Sequence, residues 1–198
     1  MRWWTADLHL GHHNIIEYCN RPWSTVEEMN EGLIERWNDV VHPNDEVWVL
    51  GDFAMGHRAE TVPLARRLHG AKILIPGNHD HCHPLHRAHE LYRRRYLDWG
   101  FSVVLPGLFR TGLDGQDETI MVWSCHFPPV GDSRHEDRYI EQRPAGIPAG
   151  EPILHGHVHT EWTVTEQDGR RLINVGVDVH DYRPISDDRV LELLTIPI

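Results

Sequence analysis

The segment "AKILIPGNHD" (residues 71–80) joins an apolar run to residues that can turn the chain and carry chemistry. Its first half is a short aliphatic run closed by a Pro-Gly pair, which predicts a buried β-strand. Asn78, His79 and Asp80 then follow in immediate succession. Because binding sites in α/β proteins form where parallel strands end, this segment predicts one corner of a functional site.

Four further segments repeat this pattern of an apolar run that ends in histidine or aspartate. They are "WWTADLH" (3–9), "WVLGD" (48–52), "MVWSCH" (121–126) and "PILHGHVH" (152–159). Asp7 and His9 stand two residues apart, so on an extended chain both side chains point to the same side. The same holds for His157 and His159. Five such strand ends, meeting at one edge of a sheet, predict a polynuclear metal site.

Helices are predicted between the first strands, over residues 24–41, 60–70 and 85–100. The first of them has Ser24 as its expected N-cap and glutamates in its first turn. Strands that alternate with helices indicate crossover connections and a mainly parallel sheet. The fold class is therefore expected to be α/β.

After residue 100 the pattern changes to short strand-like runs separated by turn residues. The last of these runs is "DDRVLELLTI" (187–196), and the pair Asp168 and Gly169 indicates a hairpin turn. A chain of 198 residues with no evident boundary predicts a single domain over residues 1–198, without a separate cap domain.

Composition excludes several classes of protein. No apolar run approaches the roughly 20 residues of a membrane-spanning helix, and the N-terminus lacks the apolar stretch of a signal peptide, so we expect a cytoplasmic protein with no membrane partner. Three cysteines without a Cys-x-x-Cys pair argue against a disulfide framework or a thiolate zinc site. A formal charge of −11 makes extended nucleic-acid binding unfavourable, although bound cations can reverse the sign at one small site.

The five motifs, in this order, resemble the calcineurin-like metallophosphoesterase superfamily. The superfamily pattern is Asp-x-His, Gly-Asp, Gly-Asn-His-Asp, a lone His and Gly-His-x-His, and all of it is present between residues 7 and 159. The stretches "TADLHLGHHNIIEYCNRPW" and "NVGVDVHDYRP" further resemble a compact prokaryotic and phage subgroup. This resemblance implies a four-layered α/β/β/α sandwich of two mixed sheets, with a two-metal centre at the strand ends.

The resemblance also implies the roles of nine residues. The implied metal ligands are Asp7, His9 and His159 for one ion, Asn78, His126 and His157 for the other, and Asp52 as the bridge between them. His79 would face the substrate without binding metal, and Asp80 would orient the His79 ring.

The chemistry of these residue types agrees with that expectation. Carboxylate, imidazole and amide ligands without thiolate suit Mn²⁺, Fe²⁺/Fe³⁺ or Zn²⁺, and Mn²⁺ is the ion we expect to support activity in vitro. Two such ions lower the pKa of a bridging water, so that hydroxide is present near neutral pH to attack a phosphate. The neutral amide of Asn78, in place of a third carboxylate, keeps the centre electrophilic.

Other candidates lie in loops close to the motifs. Four arginines are candidates to contact a substrate phosphate: Arg21, Arg138, Arg143 and Arg183. Three residues are candidates to orient the metal ligands from behind: His12, His13 and Asn14. Four histidines after the catalytic turn are expected on the predicted helix and its approach, not in a third metal site: His81, His83, His86 and His89.

The sequence therefore predicts a two-metal phosphoesterase that acts on a small phosphate ester. Phosphodiesters, such as small nucleotide diesters, are preferred because a chain of this length leaves little material to cap the cleft. A phosphomonoesterase and a dinucleoside-polyphosphate hydrolase remain open as alternatives. So does a non-enzymatic metal-binding scaffold of the same fold, and the oligomeric state is open as well.

Overall fold

Two mixed five-stranded sheets form the centre of the protein in a computed structural model that describes residues 1–115, 117–131 and 138–198. The first sheet contains β1 (Arg2–Thr5), β2 (Glu46–Val49), β3 (Ala71–Leu74), β4 (Val103–Val104) and β10 (Ile185–Ser186). Their order is β10-β1-β2-β3-β4, with β1 to β4 parallel and β10 antiparallel to β1. The predicted parallel arrangement of the first half is confirmed.

The second sheet is built from the later part of the chain. It contains β5 (Leu108–Asp114), β6 (Thr119–Cys125), β7 (Ile153–His155), β8 (Val164–Gln167) and β9 (Arg170–Asn174), in the order β5-β6-β7-β9-β8. β6, β7 and β9 are parallel, and an antiparallel strand flanks them on each side. Asp168 and Gly169 connect β8 to β9 with φ of 52° and 69°, which confirms the predicted hairpin turn.

Five α-helices accompany the sheets in the described residues. They are α1 (His13–Tyr18), α2 (Val26–Val40), α3 (Arg58–Thr61), α4 (His89–Asp98) and α5 (Asp187–Thr195). Short 3-10 helices cover Val62–Arg67, Ile140–Gln142 and Val177–Val179. None of the helices in the described part of the chain has the length and apolar character needed to cross a membrane.

Local chemistry explains where the helices differ from the sequence-based expectation. The N-cap of α2 is Thr25, not Ser24: its hydroxyl accepts from the Glu28 amide at 3.1 Å, while the Glu28 carboxylate accepts from the Ser24 amide. The helix predicted over 60–70 is interrupted because Pro63 has no N–H to continue the α-helical ladder.

Two further elements were predicted wrongly. The helix expected over 85–100 begins only at His89, and residues 81–88 form successive turns. The run 187–196, expected as a strand, is α5. Ser186 caps this helix by accepting from the Arg189 amide, and the two aspartates of its first turn favour the helix N-terminus.

The core has three parts: one lies between the two sheets, and one lies on the outer face of each sheet. Between the sheets, Trp4 of β1 packs with Leu154 of β7 and Ile173 of β9. On the outer face of the first sheet, the parallel strands are covered by apolar residues of α2 and α4, such as Trp37 and Tyr96. These layers agree with an α/β sandwich.

The outer face of the second sheet differs from the expected four layers. Side chains alternate along a strand, so Ile153 and Leu172 point away from the core between the sheets. Val130 and Ile147, from the connection between β6 and β7, pack against them. The C-terminal helix α5 lies instead against the core between the sheets, so the described residues provide no α-helical layer on this face.

Candidate metal centre

The five predicted strand ends meet at one edge of the molecule. Backbone hydrogen bonds tie the loops together there: the Asp7 amide donates to the Gly51 carbonyl at 3.0 Å, and the His9 amide donates to the Asp52 carbonyl at 3.0 Å. Gly51 has φ of 89°, and a side chain at this position would collide with the backbone of the loop after β3. The strands thus carry their terminal polar residues into one site.

Five of the seven expected ligands have left-handed backbone conformations, with φ between 49° and 74°. They are Asp7, His9, Asp52, His157 and His159. Each such residue costs on the order of 1–3 kcal/mol and persists only where the surrounding structure holds it. Strain of this kind clusters at functional sites. The strand ends therefore have the strained backbone that is typical of functional sites, unlike the regular strands that precede them.

The first cluster of candidate ligands, which we call cluster A, consists of Asp7, His9 and His159. One ligand atom from each lies within 4.8 Å of the others. Asp7 Oδ2 accepts from the His157 amide at 2.9 Å. Asp7 Oδ1 and both ring nitrogens of His9 are buried and have no hydrogen-bond partner among the described residues. Because buried polar atoms are rarely left unpaired, these three atoms are suited to bind a metal ion.

The second cluster, which we call cluster B, consists of Asp52, His126 and His157, again with ligand atoms within 4.8 Å of one another. Asn78 joins it, with Oδ1 at 3.1 Å from His126 Nε2. His126 Nδ1 donates to the Leu50 carbonyl at 2.8 Å. This hydrogen bond defines the tautomer, so His126 Nε2 offers its lone pair to the cluster.

Asp52 lies between the two clusters. Its Oδ2 atom is 3.5 Å from His9 Nε2 in cluster A and 3.5 Å from His126 Nε2 in cluster B. Its Oδ1 atom accepts from the His79 amide at 2.9 Å. One oxygen of Asp52 thus reaches both clusters, which is the arrangement expected of a bridging carboxylate.

The donor set of both clusters suits divalent metal ions. Burial is the main cause that raises the pKa of Asp7 to about 8 and that lowers the pKa of His9 well below its usual value. Both shifts reflect charge that is unfavourable in a dry site without a counter-ion. Cations held by the carboxylates and neutral imidazoles would satisfy the unpaired atoms and relieve this penalty.

The hydrogen bonds of Asp80 go mainly to the backbone. Its carboxylate accepts from the amides of Asp52 and Gly77 through Oδ2, at 2.8 and 2.9 Å, and from the amide of Phe53 through Oδ1. The Tyr96 hydroxyl donates to the same Oδ1 at 3.3 Å. These hydrogen bonds join the loops after β2 and β3, and none of the ones found in the described residues goes to the His79 ring.

Five of the seven candidate ligands line a cleft of about 620 Å³: His9, Asp52, Asn78, His157 and His159. His79 stands at its edge, with a side chain 38% exposed and Nε2 at 4.0 Å from Asp52 Oδ2. One wall comes from α1 and the residues that precede it, including His12, Asn14 and Tyr18. Arg138 lines the cleft as well. A solvent-accessible imidazole beside a buried ligand set is suited to proton transfer with a bound molecule.

The other three arginines are engaged elsewhere. Arg21 is buried and hydrogen bonded to Asp178. Arg183 pairs with Asp39 and Asp181 at the surface. Arg143 donates to two backbone carbonyls of the connection between β6 and β7.

The remaining predicted partners lie near the cleft to different degrees. The rings of His12 and His9 are 5.3 Å apart, and Asn14 lines the cleft, whereas His13 is exposed at the start of α1. His86 was expected on a helix surface. It lies in the turns before α4, and its Nε2 donates to the Asn78 carbonyl at 2.9 Å.

Asp178 is the site residue that the sequence analysis missed. Its Oδ2 atom is 2.8 Å from His159 Nδ1. It follows β9 in the stretch "NVGVDV", so the pattern of a strand followed by an aspartate could have identified it.

Fold and site together define an α/β protein with candidate metal ligands gathered at the strand ends of two mixed sheets. No model of a known family matches the chain. The chain is 34% identical to the Gene 66 protein of Mycobacterium phage L5, over 97% of this chain and 93% of that protein. It therefore belongs to the family of this phage protein.

More distant comparisons extend the likeness. The uncharacterized protein MJ1445 of Methanocaldococcus jannaschii is 31% identical over 96% of this chain and 88% of its own length. The solved structure of AQ665 from Aquifex aeolicus, a protein of unknown function, aligns with a TM-score of 0.66 at 22% identity over 98% of both chains, which shows the fold. The phosphopantetheinyl hydrolase PptH of Mycobacterium tuberculosis aligns with a TM-score of only 0.44 at 15% identity, too low to bear on function.

Proposed function

We propose that the protein is a phosphoesterase that uses two divalent metal ions, and that it prefers phosphodiesters. The observation that carries this proposal is the position of Asp52 Oδ2, at 3.5 Å from one histidine of each cluster. A shared carboxylate is the feature that distinguishes a two-metal centre from two separate sites. Both clusters also open on the same cleft, through His9 on one side and Asn78 on the other.

The residues divide the chemistry between them. Two divalent ions, when bound, supply Lewis-acid stabilisation of the attacking and leaving oxygens of an in-line displacement. Asp7, His9 and His159 would hold one ion, Asn78, His126 and His157 would hold the other, and Asp52 would contact both. His79 would carry a proton at Nε2 and transfer it to the leaving oxygen, because it is exposed to the cleft and lies next to Asp52.

The shape of the cleft supports the preference for diesters. Besides candidate ligands, its lining includes residues of α1, residues 158–161 and Arg138. A diester has two arms, and a cleft lined by several separate segments offers contacts for both of them. Arg138, which lines the cleft, would contact a non-bridging oxygen of the phosphate. Small nucleotide diesters fit this description, and a phosphomonoester or a dinucleoside polyphosphate is the alternative class of substrate.

The proposal is tested by removing metal and returning it. We expect metal-free protein to be inactive and Mn²⁺ to restore hydrolysis, with bis-(p-nitrophenyl) phosphate turned over faster than p-nitrophenyl phosphate. Cyclic 2′,3′- and 3′,5′-nucleotides test the nucleotide class. His126→Gln should abolish the restored turnover, whereas His57→Gln is the matched control, because His57 is exposed and pairs only with Glu60 among the described residues.

The outcomes separate the alternatives. Faster turnover of the monoester would reverse the order of substrates without affecting the metal centre. Binding of two ions without hydrolysis of any ester would favour a metal-binding scaffold, and the phosphoesterase proposal would be abandoned.

A further inference from the structure

A buried chain of charged side chains runs behind cluster A. The Arg21 guanidinium donates to both oxygens of Asp178, from Nε at 2.8 Å and from one terminal nitrogen at 3.0 Å. Asp178 Oδ2 in turn lies 2.8 Å from His159 Nδ1. The side chains of Arg21 and Asp178 are fully shielded from solvent. Such a bidentate ion pair combines charge with a defined direction.

The same guanidinium also holds the backbone of another candidate ligand. Its terminal nitrogens donate to the Asp7 carbonyl at 2.7 Å and to the Leu8 carbonyl at 2.8 Å. Asp7 is one of the residues with a left-handed backbone, with φ of 58°. The two hydrogen bonds therefore help to retain a strained segment that would otherwise relax.

The Arg21–Asp178 ion pair is also linked to the backbone at the end of β1. Asp178 lies in the 3-10 helix Val177–Val179, and the Val177 amide donates to the Ala6 carbonyl at 3.0 Å. The position of Asp178 is thus linked to the end of β1, where Asp7 begins the turn. Three segments distant in sequence, near residues 7, 21 and 178, converge on one side of cluster A.

From this arrangement we infer that Arg21 and Asp178 are positioning residues of cluster A: they hold the Asp7 turn and orient the His159 ring so that its Nε2 faces a metal ion. The inference rests on the proposed function only for the presence of a metal centre. Arg21, a candidate for substrate contact by sequence, thereby acts behind the ligands. Among the described residues, the hydrogen bonds of Arg21 and Asp178 that reach candidate ligands go to cluster A and its backbone, and the link to cluster B is the His157 amide that donates to Asp7 Oδ2.

The inference makes a selective prediction about metal affinity. Loss of a partner behind a metal ligand typically lowers affinity about 10- to 100-fold. We therefore expect Asp178→Asn to weaken one of the two Mn²⁺ sites by about this factor and to leave the other unchanged. Arg21→Lys keeps the charge but loses the planar fork, so the same site should weaken.

Calorimetric titration of metal-free protein with Mn²⁺ measures both affinities without reference to turnover. Two backgrounds assign the sites: His126→Gln leaves cluster A intact, and His9→Gln leaves cluster B intact. Asp178→Asn should reduce affinity in the first background and have no effect in the second. Asp181→Asn is the control, since Asp181 lies three residues further on and its side chain is 71% exposed.

The design distinguishes positioning from folding and from catalysis. A general loss of stability would weaken both sites together, and that result, like no change in either site, would overturn the inference. If Asp178→Asn does not fold, the Arg21→Lys titration decides on the same criterion. Wild-type protein that binds two ions but hydrolyses no ester would refute the proposed function and leave this inference intact, whereas wild type that binds no ion would refute both.

Discussion

The two clusters share Asp52, yet different means support them. Cluster A is supported by side chains, because Arg21 and Asp178 stand behind Asp7 and His159. In cluster B the main chain supports His126, because the Leu50 carbonyl accepts from its ring, and one neutral side chain, His86, donates to the Asn78 carbonyl. A carbonyl persists whatever side chain its residue carries, whereas an ion pair is lost by one substitution. The geometry of cluster A should therefore be easier to change.

The largest effect is expected from a substitution of Asp52, the residue that the two clusters share. Asp52→Asn removes a negative charge from both clusters. We therefore expect both Mn²⁺ affinities to fall by more than about 100-fold, the upper range for loss of a residue behind a metal ligand, and we expect turnover to be lost. Calorimetry and hydrolysis assays measure the two effects, with the exposed Asp114→Asn as control. Retention of one ion at wild-type affinity would show that Asp52 serves a single cluster.

His79 belongs to neither cluster, and its loss should separate chemistry from metal binding. We expect His79→Asn to lower kcat by about 10²- to 10⁴-fold, the range for a general acid or base, while two ions remain bound. Metal content after gel filtration and steady-state kinetics give the two readouts. If kcat were unchanged at full metal content, the imidazole would have no part in proton transfer.

Metal binding should stabilise the protein through both clusters. At a free concentration 100-fold above its Kd, an ion that binds only the folded state adds about 2.7 kcal/mol to the free energy of unfolding. Urea unfolding with EDTA and with Mn²⁺ measures the gain. In His126→Gln, only the stabilisation by the ion at cluster B should be lost. Equal free energies of unfolding with and without Mn²⁺ would contradict the proposed ligand sets.

The smallest expected effect is on the pH dependence of stability, and it concerns His83 in the turns of residues 81–88 that follow Asn78. His83 is buried, and its Nδ1 accepts from the Leu85 amide at 3.1 Å. Burial is the main cause that lowers the pKa of His83 to about 4. Its folded pKa is thus below that of the unfolded chain, so its contribution to stability is full above about pH 6.5 and declines as the pH falls towards 4.

We expect His83→Gln to reduce the acid sensitivity of the metal-free protein in this interval. Urea unfolding at pH 7.5, 6 and 5 measures it, with His57→Gln as the exposed control. An unchanged dependence of the unfolding free energy on pH would show that His83 does not contribute.

The features that the sequence predicted depend on interactions between residues close together in the chain, whereas the features it did not predict depend on contacts between distant segments. Apolar runs that end in polar residues predicted the parallel strands and the convergence of their ends, because strand periodicity and the carboxyl-edge rule act over short stretches. Two elements that differ from the prediction nevertheless have local causes. Pro63 interrupts a helix, and Ser186 with two aspartates begins one where a strand was expected.

The sequence by itself indicated the candidate ligands, through the order of its motifs at predicted strand ends. Residues such as Asp7, His9 and Asn78 follow buried runs, and burial at a strand end forces polar groups to converge. The partners behind them depended on the tertiary structure. Asp178 reaches His159, and Asp80 joins two loops, through hydrogen bonds between segments far apart in the chain. Such contacts depend on register and turn geometry, which only the packed structure decides.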